Sequence, residues 1–215
     1  MKSTNPFNIK GVTLIELLMA LAICGIVVAG IYRVFMAQSK AYIVQDQVVE
    51  IQQSVRSAME VLSRDLRMAG FDDDNIASTI SITHSITNPI GDHAITVNYE
   101  GYDHTLIQFQ KHTVAYWRDA ASSRMIRQLT INDVASPQET LLENVEELGF
   151  VYGVDVDEDG AVENWVSAKD VRTSKVVAVR VTLTARPVQS NTDLQRISPR
   201  TLASILTLRN VSLMR

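Results

Sequence analysis

From Val12 to Tyr32 the chain is apolar almost without interruption, reading VTLIELLMALAICGIVVAGIY, and Glu16 is its only charged residue. About 21 residues make a helix of roughly 31 Å, the thickness of a bilayer's hydrocarbon core. Beyond Tyr32 the pattern narrows to a stripe. Ala41, Val44, Val48, Ile51, Val55, Ala58, Leu62 and Leu66 recur at spacings of three and four on an otherwise polar background, which predicts an amphipathic helix. No proline interrupts Val12 to Gly70, and Gly70 is a natural stop. The spacing therefore predicts one helix of about 59 residues, roughly 88 Å long, transmembrane over 12–32 and amphipathic over 33–70. Its stripe suits either a coiled-coil seam or, with two alanines weakening that seam, packing beneath a sheet. Gly25 and Gly30 are soft points or close-packing sites between helices.

After Phe71 the helical period is lost. Alternation of apolar and polar positions predicts strands over Ala94–Tyr99 and Thr105–Gln110, with a hairpin at Gly101 between them. Val114–Arg118, Met125–Ile131, Leu148–Val154 and the β-branched Val176–Ala185 read as further strands. Leu141–Glu147 suits a short helix or a strand, and Thr201–Leu213 holds one or two strands more. A break is expected at Asn88-Pro89, and a surface loop over Pro187–Asp193. The expected fold class is α+β: a long N-terminal helix packed against an antiparallel sheet that forms a head over 71–215.

Before the apolar run lies a short segment, 1–11, carrying Lys2 and Lys10, and basic residues there favour a cytoplasmic N-terminus. A secretory signal would have a shorter apolar region followed by small residues; here Gly11 precedes the run. An acid within a spanning helix costs roughly 2.5–3.5 kcal/mol at its centre and usually has a partner. Glu16 lies near the start, where the cost is lower.

These residues carry a resemblance. Lys10-Gly11-Val12-Thr13-Leu14-Ile15-Glu16-Leu17-Leu18 resembles the class III signal of type IV prepilins and of type II secretion pseudopilins. The resemblance implies 1–11 as a leader, cleavage by a prepilin peptidase between Gly11 and Val12, and methylation of the new terminus. Glu16 then becomes the fifth residue of the mature chain, the family's usual glutamate; Val12 departs from the commoner phenylalanine or methionine. Leu62 to Phe71 (LSRDLRMAGF) is similar to the matching stretch of PilW-type minor pilins and J-type pseudopilins, with weaker echoes at Arg180–Leu183 and Arg209-Asn210. Glu60 and Arg64 in the same region stand at ion-pair spacing. The implied partners are the peptidase, other minor pilins, the major pilin and the inner-membrane assembly platform. The implied location is the bacterial inner membrane, single-pass with a periplasmic head, and then the pilus fibre. The expected function is a structural or priming subunit of a type IV pilus. A type II secretion pseudopilin and an adhesive or calcium-binding tip module are the alternatives.

Asp155-Val156-Asp157-Glu158-Asp159-Gly160 places acids at alternate positions before a glycine, like the first half of an EF-hand loop. Glu163 takes the ninth position, but Val166 stands at the twelfth, where a bidentate glutamate is required. Asp155, Asp157, Asp159 and Glu163 are candidate calcium ligands, and a hairpin turn with exposed acids explains them as well. Tyr152 to Asp155 with this loop also resembles a stretch of PilW-type proteins.

The remaining chemistry narrows the classes. Twenty basic against 24 acidic residues leave a net charge of -4, without the basic footprint of a nucleic-acid binder. Cys24 is the only cysteine and lies in the apolar run, so no internal disulfide forms. His84, His93, His104 and His112 lack metal spacing, no nucleophile elbow or phosphate loop is present, and Trp117 and Trp165 suit packing. The chain is not expected to be an enzyme.

Overall fold

The computed structural model describes residues 11–71, 94–171, 175–187 and 198–210. The proline-free run forms one helix, α1 (Leu14–Met68), of 55 residues. The chain divides into two compact units between Asp46 and Gln47. In the first, every residue from Gly11 to Gln38 is exposed, Cys24 included, and α1 contains a stretch long and apolar enough to cross a membrane. Exposed leucine, isoleucine and valine all round a helix is what a lipid environment rewards and water does not.

In the second unit the stripe on α1 is buried from Ile51 onwards: Ile51, Val55, Ala58, Met59, Leu62 and Leu66. Its earlier members are not, Ala41 being exposed and Val44 and Val48 half-buried. From Ile51 the stripe serves sheet packing, and Leu62 and Leu66 are fully enclosed. The i,i+4 spacing of Glu60 and Arg64 produces no ion pair; the acid of this stretch that finds a cation is the neighbouring Asp65.

Two antiparallel sheets, not one, cover that face. The first contains β1 (Ala94–Asp103), β2 (Gln108–Asp119) and β3 (Arg124–Ile131) in order, with β4 (Val134–Ala135) and β5 (Glu139–Leu142) both paired to β3. The second has the order β7-β6-β8-β9, from β6 (Val145–Asp155), β7 (Asn164–Val166), β8 (Lys175–Ala185) and β9 (Arg200–Thr207). The chain crosses between sheets at Asn144, whose φ of 54° turns it sharply. The crossing is fixed by Val145 N donating to Ser123 O at 2.8 Å, Arg118 Nε to Val145 O at 2.8 Å and Arg186 N to Asn144 O at 3.0 Å. Leu141, Leu142 and Val145 flank the corner closely and only Glu143 and Asn144 separate them, which is why Leu141–Glu147 reads as one element. Both sheets and α1 share one core, in which Leu66, Ile95, Val114, Tyr116, Met125, Leu148 and Leu183 are fully buried.

Gly101 is not the hairpin turn. It lies inside β1 opposite Gln110, and a Cβ there would meet the His112 ring at 2.6 Å. The glycine admits an imidazole; the turn is 104–107, where Asp103 Oδ1 accepts from Thr105 N at 2.7 Å and Leu106 N at 3.2 Å. Of the expected strand Thr105–Gln110 the first three residues fall in the turn; the rest and the expected Val114–Arg118 belong to one strand, β2. Its buried and half-buried face runs Gln110, His112, Val114, Tyr116, and the two polar members disguise the alternation. The described part of Thr201–Leu213, up to Asn210, yields one strand, β9. Pro187 is buried where a surface loop was expected; the rest of that loop and the Asn88-Pro89 break lie outside the described residues. The short β7 has too few residues to leave a period in the sequence.

Candidate functional site

Three places concentrate polar chemistry: the start of α1, its far end, and the loop between β6 and β7. At the start, Thr13 is the residue before the helix and Glu16 its third position. Glu16 Oε2 accepts from Thr13 N and Thr13 Oγ1, both at 2.9 Å, and Glu16 N donates to Thr13 Oγ1 at 3.4 Å. This is a capping box, in which two otherwise orphaned backbone donors are satisfied reciprocally. The T-x-x-E signal was readable in the sequence and the spanning pattern masked it. Gly11 and Val12 lie outside the helix, both exposed. In the described chain the Glu16 carboxylate is therefore held by its own backbone, next to the residue that would become the new terminus.

At the far end, α1 is fastened to the first sheet by a buried acid. Asp65, 6% exposed, accepts a hydrogen bond from the Tyr116 hydroxyl of β2 and another from Arg127 Nε of β3 at 3.0 Å. Arg127 Nε lies 3.1 Å from the Tyr116 hydroxyl, and its Nη1 reaches Glu139 at 3.5 Å. Burial would lower the Arg127 pKa, but Asp65 and Tyr116 outweigh it and hold the guanidinium more firmly protonated. Burial and then the Asp65 hydrogen bond push Tyr116 upward. Burial, with the Asp65 charge second, pushes Tyr99 up to about 12. His112, its ring tilted against that of Tyr99 at 5.3 Å, is shifted down by burial against the pull of Asp65. The shifts of Tyr116, Tyr99 and His112 favour uncharged neighbours around one ion pair.

The helix then stops cleanly. Gly70 adopts φ 73°, the left-handed cap that glycine takes without strain. Its N–H donates to Asn98 O at 3.0 Å, Phe71 O accepts from Glu100 N at 2.9 Å, and Asn210 Nδ2 caps Arg67 O at 3.3 Å. LSRDLRMAGF is thus the stretch that seats α1 on the head, and Asn210 in the Arg209-Asn210 echo meets it there.

Between β6 and β7, Asp155, Asp157, Asp159 and Glu163 each bring one carboxylate oxygen within 4.8 Å of the others. Left-handed Glu158 (φ 64°) and Gly160 (φ 91°) curl the chain around them. Each acid is anchored by a backbone donor: Gly160 N to Asp155 Oδ2 at 2.9 Å, Asp159 N to Asp157 Oδ1 at 3.3 Å, Ala161 N to Asp159 Oδ1 at 2.7 Å and Val156 N to Glu163 Oε2 at 2.6 Å. The loop leaves β6 beside Gly153, where a Cβ would press on Val162 at 3.0 Å and Ala178 at 3.1 Å.

Comparison with known families finds two matches. Residues 110–206 match the family described as Type IV Pilus-assembly protein W, and residues 6–32 match the Prokaryotic N-terminal methylation motif. Comparison with curated proteins gives no match, and comparison with solved structures gives none. The first match runs through β2 to β9 and takes in Tyr116, Arg127 and the acidic loop; Asp65 and Asn210 fall outside it. The second takes in Gly11, Val12 and Glu16. Together they imply processing by a prepilin peptidase and contact with pilus components, and they point to a structural, non-catalytic protein. An apolar, exposed helix behind such a motif fits a membrane-anchored pilin. The chain is a type IV pilin-like protein, similar to the Type IV Pilus-assembly protein W family over 110–206 and to the prokaryotic methylation motif over 6–32.

Proposed function

We propose that this chain is a minor pilin: a subunit that is cut between Gly11 and Val12, methylated on Val12, and drawn from the inner membrane into a type IV pilus to help start or prime it. The head resides in the periplasm before assembly, and the chain is not an enzyme. The observation that carries the reading is Glu16, the one charge in an exposed apolar stretch, set beside the cleavage point. The match to Type IV Pilus-assembly protein W favours a pilus over a secretion filament.

The proposed mechanism follows from the energetics of that acid. Among the described residues of an isolated stem the carboxylate has only Thr13 as a donor, and a charge so placed in lipid is costly. The amine of a neighbouring subunit's processed terminus supplies a cation, and methylation leaves it charged. Pairing offsets much of the desolvation, so the stem is more stable in register with a neighbour than alone. Glu16→Leu is expected to insert and be processed normally but to be depleted from sheared filaments. Incorporation of Glu16→Leu at the wild-type level would overturn the mechanism.

A further inference from the structure

We propose that the loop joining β6 to β7 is a calcium site formed by Asp155, Asp157, Asp159 and Glu163. The decisive residue is Asp155. It is 2% exposed, one of its oxygens accepts from Gly160 N, and the other, Oδ1, is fully enclosed without a hydrogen-bond partner among the described residues. An ionised oxygen stripped of water and left without a donor is strongly unfavourable. Three further carboxylates beside it compound the cost, because like charges in proximity repel. A bound cation removes both penalties at once.

The dimensions admit calcium. Oxygens bound to one calcium lie about 2.4 Å from it, so opposite ligands stand roughly 4.8 Å apart. The four carboxylate oxygens here lie within 4.8 Å of one another. Magnesium, with ligands at about 2.1 Å, needs a tighter octahedron and keeps its water. Four carboxylates binding through one or both oxygens supply much of the six to eight that calcium takes. Val166, at the twelfth place of the loop, is instead a β7 residue paired with Tyr152, so the ligand that an EF-hand draws from that place comes here from Glu163, at the ninth. The anchoring hydrogen bonds hold the ligands in place, and the ion would fasten the β6–β7 edge of the second sheet.

The test uses the full chain in detergent, freed of metal with a chelator, and follows thermal unfolding and titration calorimetry with calcium chloride. The expected result is saturable binding of one ion per chain, with a rise in Tm that magnesium at equal concentration does not reproduce. Asp157→Asn and Asp159→Asn keep the hydrogen-bond acceptors on exposed positions and are expected to weaken binding at least about tenfold each. Asp155→Asn is expected to abolish the calcium response while the metal-free chain keeps or gains thermal stability. Absence of heat and of any Tm change up to about 10 mM calcium, or an undiminished response in the Asp157→Asn/Asp159→Asn chain, would overturn the proposal.

Discussion

Asp65 on the helix and Arg127 on the third strand meet at 3.0 Å in a nearly closed environment, with the Tyr116 hydroxyl donating to the same carboxylate oxygen. The pair joins α1 to two strands of the first sheet. The apolar stripe alone would let a helix slide or rotate on a sheet at modest cost, because dispersion and burial are not directional. A single acid that must meet one guanidinium and one hydroxyl fixes both. The neighbouring leucines supply burial, and Asp65 supplies position.

Removing one member of this pair is predicted to be far worse than replacing all of it. Asp65→Ala leaves Arg127 charged and enclosed, with an expected loss of about 3–5 kcal/mol. Asp65→Leu with Arg127→Met and Tyr116→Phe removes the charges together and is expected to retain most of the wild-type stability. Urea unfolding of the three chains measures the difference. Equal destabilisation by the single and the triple change would contradict the assignment.

The acid limb of the stability curve should report His112. Its folded pKa is held below the ordinary 6.5, chiefly by burial, so between the two values the unfolded chain binds the extra proton. Stability from this group is complete above about pH 6.5 and is lost as pH falls through the folded value. His112→Asn is expected to flatten the profile just below pH 6.5, measured as the denaturation midpoint against pH. An unchanged slope would assign that limb to other groups.

Much of the stem was legible and much of the head's detail was not, for physical reasons. Helix α1 declares itself because its period is sustained over many turns with no proline. Strand β2 is longer than its pattern because Gln110 and His112 take inward positions that normally signal an apolar residue. Gly101 reads as a turn because a sequence cannot distinguish a glycine needed for conformation from one needed for space beside an imidazole. Asp65 is invisible as a buried ion-pair member because its partners lie 51 and 62 residues away. The acidic loop is the reverse case, since local spacing brought all four of its carboxylates together.

Gly70 gives a sharper test of the helix terminus. With φ at 73°, alanine there would meet the left-handed penalty of roughly 1–2 kcal/mol, whereas asparagine tolerates that conformation better. Gly70→Ala is therefore expected to lower stability by about that amount and Gly70→Asn by clearly less, read from thermal unfolding of the same preparation. Equal losses would mean that space, not conformation, demands the glycine.

Mass spectrometry of the mature N-terminus, on protein recovered from cell membranes, addresses the central claim most directly. The account predicts a chain that begins at Val12, carries a methylated amine and retains Glu16 four residues further on. A chain that still begins at Met1, in cells whose other pilins are processed, would contradict it.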